Sequence, residues 1–191
     1  MVLSHPRLTL DAFLALPEQE PPLEFVEGVV TQKMAPGAPH SVGQGTLLGR
    51  LFTYGERTGA VFAFPEQRLI LDDATLVPDI AVYRADRVPY DEHGDIQEYF
   101  TAPPDLVVEV ASPGQSLRAL RSRCRWFVQH GVQASLLVVP RDRTIQQFRP
   151  GWDGTPIRGS ERVDLDDLLP GFVLTPEDVF ARLRRPVPGS R

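Results

Sequence analysis

Cysteine occurs once, at Cys124, and lysine once, at Lys33. A lone cysteine excludes an internal disulfide and any zinc site built from several thiolates. Long apolar runs are absent too, so no stretch offers the twenty or so apolar residues of a membrane-crossing helix. The opening MVLSHPRLTL has no apolar segment of the kind an export signal carries. These shortages lead us to expect a cytoplasmic protein with no membrane partner. The net charge of −5 argues against loose, charge-driven binding of nucleic acid, though it leaves room for a local basic patch.

A chain of 191 residues, 42 % hydrophobic and 24 % charged, is long enough for one domain with a sizeable core. LTLDAFLALP at 8 to 17 predicts a short helix capped by Thr9 and ended by Pro17, with Leu10, Phe13 and Leu14 on its apolar face. LEFVEGVVTQKM at 23 to 34 predicts a hairpin turning at Glu27-Gly28. The loop MAPGAPH leads to a helix from Ser41 to Arg57, with Val42, Leu47, Leu48, Leu51 and Phe52 as its buried stripe. Strands are expected at 60–64, 67–71 and 75–83, then an irregular stretch with a short helical piece at 84–100. A buried strand at 105–111 is followed by a helix at 115–130 closed by Gly131. A buried strand at 134–140 and a half-exposed partner at 144–150 come next. A short strand near Glu161–Val163 and a helix from Pro176 to Leu183 complete the pattern. Residues 1–7 and 184–191 are expected to be a flexible N-terminus and a disordered tail around a domain at 8–183. This order describes an α/β (α+β) domain around a mixed sheet, with a right-handed parallel crossover between 105 and 140.

Three carboxylates interrupt apolar, strand-like surroundings: Glu24 in PLEFVEG, Asp79 in VPDIAV and Glu109 in LVVEVASP. An isolated carboxylate is costly in a dry interior, so such groups are usually paired or hold a cation. Oxygen ligands on strands suit Mg²⁺, which keeps waters and takes one or two carboxylates plus a substrate phosphate. The plain alternative puts each acid at a strand end, facing solvent. His40 is equally divided between a surface position at a helix start and a group above the site.

At about 100° per residue, Leu117, Leu120, Cys124, Phe127 and Val128 share one helix face, which makes Cys124 a core residue. Arg118, Arg121 and Arg125 share another face, either solvated or facing phosphate. Arg123 lies at the edge of the core face, placed to snorkel or to reach Glu109.

The stretches LTLDAFLALP, PLEFVEGVV, MAPGAPHSVGQGTLLGRL, VPDIAVY, APPDLVVEVASP and FVQHGVQASLLVVP, in this order, resemble the Uma-two-type family of restriction-endonuclease-like proteins. That family lies within the PD-(D/E)XK nuclease superfamily, and the resemblance spans about residues 8 to 183. It implies a restriction-endonuclease-like mixed sheet flanked by helices, and hydrolysis of DNA phosphodiesters with Mg²⁺ or Mn²⁺. Asp79 matches the motif's aspartate, Glu109 its second acid, Glu24 the preceding acid and His40 the histidine after the Pro-rich loop. Asp79, Glu109 and Glu24 would bind metal, while Arg123 and His40 would meet the phosphate. The chain departs from the pattern at the lysine. Ala111 stands two residues beyond Glu109, and Arg123 stands where the family takes its lysine from the following helix. Arginine keeps the charge but neither the compact ammonium nor an accessible neutral form. Lys33 could approach from the hairpin.

The leading expectation is therefore a Mg²⁺-dependent endonuclease on DNA, with a homodimer suggested by family analogy. A nuclease scaffold that binds nucleic acid or a protein partner without cutting is the alternative. A metal-binding hydrolase with another substrate is the third.

Overall fold

The computed structural model describes residues 8–184; the expectations for 1–7 and 185–191 lie outside it. Thr9 Oγ1 caps a first helix, α1 (Leu10–Leu14), by accepting from the Ala12 N–H at 3.2 Å. Strands β1 (Leu23–Val26) and β2 (Val29–Gln32) form the expected hairpin. Its two turn residues, Glu27 and Gly28, both take positive φ, as a tight two-residue turn with right-handed twist requires. Helix α2 (Ala38–Thr58) starts three residues earlier than predicted, with proline in its first turn. Its buried face is His40, Gly43, Leu47, Leu51 and Tyr54, and Phe52, expected in the stripe, is 45 % exposed.

Strands β3 (Val61–Pro65), β4 (Leu69–Leu71), β5 (Ala74–Leu76) and β6 (Ile80–Arg84) follow. The single strand expected at 75–83 is thus two strands in two different sheets. Pro78 has no N–H to donate to a ladder, and the chain passes between the sheets there. A 3₁₀ turn at Ala85–Arg87 opens the irregular stretch before β7 (Leu106–Val110). Helix α3 (Leu117–Gln129) and strand β8 (Ala134–Val139) complete the predicted crossover, and β7 and β8 pair in parallel. Strands β9 (Thr144–Arg149) and β10 (Trp152–Asp153) and helix α4 (Pro176–Phe180) close the fold.

One sheet has the order β2-β1-β5-β4, and the larger has the order β10-β9-β8-β7-β6-β3. The strands of the larger sheet alternate with period two. Ile80, Val82, Val108, Leu136 and Val138 pack with Leu47 and Leu51 of α2 and with Phe172 and Val179. Ala81, Tyr83 and Val107 face the smaller sheet, and Leu137 and Phe148 face α3. Strand β9 is buried on both faces rather than half-exposed, because residues 163–174 cover one face and α3 the other. Its glutamines are satisfied: Gln146 donates to Gly154 O and Gln147 to Asp164 O. The strand expected near Glu161–Val163 does not form; Val163 N–H donates to Leu174 O within an irregular segment.

Candidate active site

The register of the central strands brings the two motif acids together. Ile80 pairs with Val108 in the antiparallel β6–β7 ladder, so one step further Asp79 stands opposite Glu109. Both have the parity of Ala81 and Val107 and point to the face shared by the smaller sheet and α3. Asp79 is 2 % exposed and Glu109 4 %. The backbone N–H of Val110 donates to Asp79 Oδ2 at 2.7 Å, which fixes the carboxylate across the ladder.

Glu24 on β1 arrives from the other sheet. Phe25 pairs with Thr75 of β5, and Val77, just beyond β5, donates its N–H to Glu24 Oε1 at 2.8 Å. Arg123 of α3 completes this corner. Its Nη1 and Nη2 donate to the two Glu24 oxygens at 2.8 and 2.6 Å, and its Nε donates to Glu109 Oε1 at 2.7 Å. Nη2 also donates to Val77 O at 3.3 Å. Arg123 therefore reaches Glu109 instead of snorkelling to solvent. The other stripe is only partly free: Arg121 donates to Gln146 and Arg125 to Asp153.

His40 lies in the first turn of α2 and is buried rather than on the surface. Its Nδ1 is 3.1 Å from Ser112 Oγ, and its Nε2 is 3.6 Å from Asp79 Oδ1. One helical turn on, Gln44 Nε2 donates to Asp79 O at 2.9 Å and to Glu66 Oε1 at 3.0 Å. Lys33, just past β2, sends Nζ to Asp79 Oδ1 at 2.8 Å and to Glu66 Oε2 at 2.7 Å. Lys33, His40, Asp79, Glu109, Gln115 and Arg123 line one cleft of about 140 Å³.

The electrostatics follow from this crowding. Burial pushes the Glu109 pKa up to about 7 against the opposing charge of Arg123, and the Asp79 carboxylate pushes it the same way. Burial acts to lower the Lys33 pKa, but Asp79, Glu109 and Glu66 together outweigh it and raise the group above the ordinary lysine value. Arg123 is likewise held protonated by Glu109 and Glu24 against its burial. The cleft therefore holds two fixed cations among its acids.

A family described as "Putative restriction endonuclease" (Uma2) matches residues 10–177. The chain belongs to that family. The same architecture is seen in a crystal structure from Anabaena variabilis ATCC 29413, titled a "putative nuclease belonging to DUF820". It is 31 % identical over 92 % of this chain and 99 % of that one, with a TM-score of 0.87. Among curated proteins, none matches this Uma2 chain.

All five residues singled out from the sequence of this Uma2 protein meet in the cleft. Asp79 and Glu109 adjoin directly, while Glu24 joins Glu109 only through Arg123. Among the described residues, no group of three or more His, Cys, Asp and Glu is arranged to hold a metal ion. Two carboxylates facing each other on adjacent strands nevertheless suit a hard cation that keeps most of its waters. Glu109 Oε1 is taken by Arg123, and no hydrogen bond to Oε2 is formed among the described residues. Sequence reasoning missed Gln44, Glu66 and Ser112. Gln44 had a signal, being four residues after His40 on one helix face; the other two depend on loops meeting in space.

Proposed function

We propose that this Uma2 protein is a metal-dependent nuclease hydrolysing DNA phosphodiester bonds. The reading is supported above all by Asp79 and Glu109, set side by side on neighbouring strands in a cleft that also presents His40 and Lys33. Asp79 and Glu109 would hold Mg²⁺ or Mn²⁺, Glu109 Oε2 accepting no hydrogen bond among the described residues. When bound, such an ion would polarise the phosphate and lower the pKa of the attacking water. In this reading Glu24 is not a third ligand but acts through Arg123, fixing the Glu109 carboxylate. Val110 N–H fixes Asp79, and Ser112 orients the His40 ring with Nε2 toward the cleft. These partners hold the acids near one geometry before substrate arrives. Cutting both strands of a duplex in one encounter needs two such centres, and a homodimer would supply them; sedimentation equilibrium reads that state.

The test is cleavage of plasmid and single-stranded DNA by purified protein with and without Mn²⁺. Wild type is expected to cut only with the ion, and Glu109→Ala to be inactive. Cleavage retained by Glu109→Ala belongs to a contaminant and removes the support for this site.

One observation favours a second reading, a nuclease scaffold that binds nucleic acid without cutting. Arg123, where the resemblance puts a lysine, is occupied with Glu24 and Glu109. An inert wild type that gains cleavage in Arg123→Lys would establish that reading.

A further inference from the structure

We propose that Lys33, carried by the β1–β2 hairpin rather than by α3, is the cation that contacts the scissile phosphate, and that Arg123 serves as a clamp on Glu24 and Glu109. This rests on the nuclease reading of the cleft. The argument is a count of donors. A guanidinium has five N–H groups, and Arg123 commits four of them: Nε to Glu109, one of Nη1 to Glu24, and both of Nη2 to Glu24 and Val77 O. An ammonium has three, and Lys33 commits two, to Asp79 and Glu66. Among the described residues its third N–H has no acceptor, and it remains for an incoming oxygen at the same edge of the cleft as Asp79 Oδ1.

The second argument is mobility of the charge. Arg123 is held by a bidentate, planar pair whose geometry fixes the side chain. Lys33 is a point charge on a flexible stem, and one of its two partners, Glu66, is exposed. Lys33 can leave Glu66 for a phosphate oxygen without leaving a buried carboxylate unpaired. Arg123 can leave neither of its acids on those terms, since Glu24 and Glu109 are both buried.

The third argument is the kind of group the reaction asks for. An ammonium offers three donors and no acceptor, so at this place Lys33 stabilises charge. In phosphodiester hydrolysis, water oxygen adds to phosphorus and gives up a proton to solvent, negative charge gathers on the non-bridging oxygens, and the P–O bond to one sugar breaks, the leaving oxygen taking a proton from solvent. A fixed ammonium on those oxygens lowers the barrier. It is the only lysine in the chain, and it occupies the site that the Ala111 and Arg123 positions leave without one.

The experiment compares wild type, Lys33→Met, Arg123→Met and Asp79→Asn. It measures single-turnover cleavage with Mn²⁺, and binding of a short fluorescent duplex with Ca²⁺ over a salt series. Near-ultraviolet circular dichroism checks each fold. Lys33→Met is expected to lose about 100-fold or more in cleavage. Its slope of log K against log salt should fall by about 1, since one phosphate contact is gone. Folded Arg123→Met should keep the wild-type slope. Lys33→Gln, which can still donate to Asp79 and Glu66, carries the same reading should Lys33→Met not fold. If Lys33→Met cuts within a few-fold of wild type while Asp79→Asn is inactive, the nuclease stands and Lys33 is not its phosphate contact. If wild type binds but does not cut, an unchanged salt slope in Lys33→Met overturns the proposal alone. A wild type that neither binds nor cuts ends both.

Discussion

Asp79 Oδ2 accepts the backbone N–H of Val110, 31 residues away in sequence, at 2.7 Å. The bond spans the two strands that carry the motif acids and turns Oδ1 toward Lys33 and His40. It also fills the hydrogen-bonding need of a buried amide, so removing the carboxylate has two separable effects. Asp79→Ala should lower stability by about 1–3 kcal/mol through the unsatisfied Val110 N–H. It should also abolish any rise in Tm with Mn²⁺. Asp79→Asn keeps an acceptor for Val110 and removes the charge, so it should lose the metal response with a smaller cost. Thermal unfolding with and without Mn²⁺ measures both. A metal response that survives in Asp79→Asn would place the ion elsewhere.

Arg123 joins two buried carboxylates that have no other cation bonded to them among the described residues. Removing one partner of a buried ion pair leaves uncompensated charge, and such losses run to about 3–5 kcal/mol. Arg123→Met should therefore destabilise the protein by about 3 kcal/mol. The double variant with Glu24→Gln should recover part of that loss, because one of the two stranded charges is then gone. Urea unfolding of the two single variants and the double closes the cycle. Additive losses would mean that Glu24 and Arg123 are not coupled.

The site was legible in the sequence where chemistry and backbone period agreed. Asp79 and Glu109 each broke an apolar strand, and a polar group that breaks such a run needs a partner. What could not be read was which groups loops would bring to them. Lys33 follows an exposed strand and carries no periodic signal, yet its ammonium sits on Asp79. The split of residues 75–83 was hidden for a related reason: Val77 and Ile80 look continuous by composition, and only Pro78 marks the passage between sheets. In α2 the buried face runs through His40 and Gly43, which hydrophobicity does not reveal; by hydrophobicity alone Phe52 belongs inside, yet it faces out. Strand β9 carries only two apolar residues and so reads as half-exposed, but Ile145 and Phe148 lie on opposite faces, and residues 163–174 and α3 cover one each.

Helix α2 passes so near the start of β3 that Gly55 has no room for a side chain. A Cβ there would lie 2.5 Å from the Val61 carbonyl oxygen, which is backbone and cannot swing aside. Gly55→Ala should cost about 1–3 kcal/mol, as overpacking does. Gly49, on the same helix, has no atom of the described residues within 4 Å of its would-be Cβ beyond its chain neighbours and its own helix backbone. Gly49→Ala should instead stabilise by about 0.5–1 kcal/mol through helix propensity. Opposite signs in chemical denaturation would confirm that packing at Gly55, not glycine as such, sets the difference.

Cys124 sits on the apolar face of α3 with no exposed surface. Burial, with a smaller push from the Glu109 charge, raises its thiol pKa to about 12. Only the thiolate is alkylated readily, and an ordinary cysteine ionises near pH 8.5. At pH 8 native protein should resist iodoacetamide, while urea-unfolded protein should be modified stoichiometrically. The sign of the linkage follows from the raised value. The thiol contributes stability below the unfolded pKa, and that contribution is lost as pH climbs from the unfolded thiol's range toward 12. Native labelling should therefore stay slow through pH 9 and accelerate only where unfolding begins. Mass spectrometry of the intact chain reads it directly, and rapid native labelling at pH 8 would show that α3 opens on its own, with Arg123 and its clamp on Glu24 moving alongside.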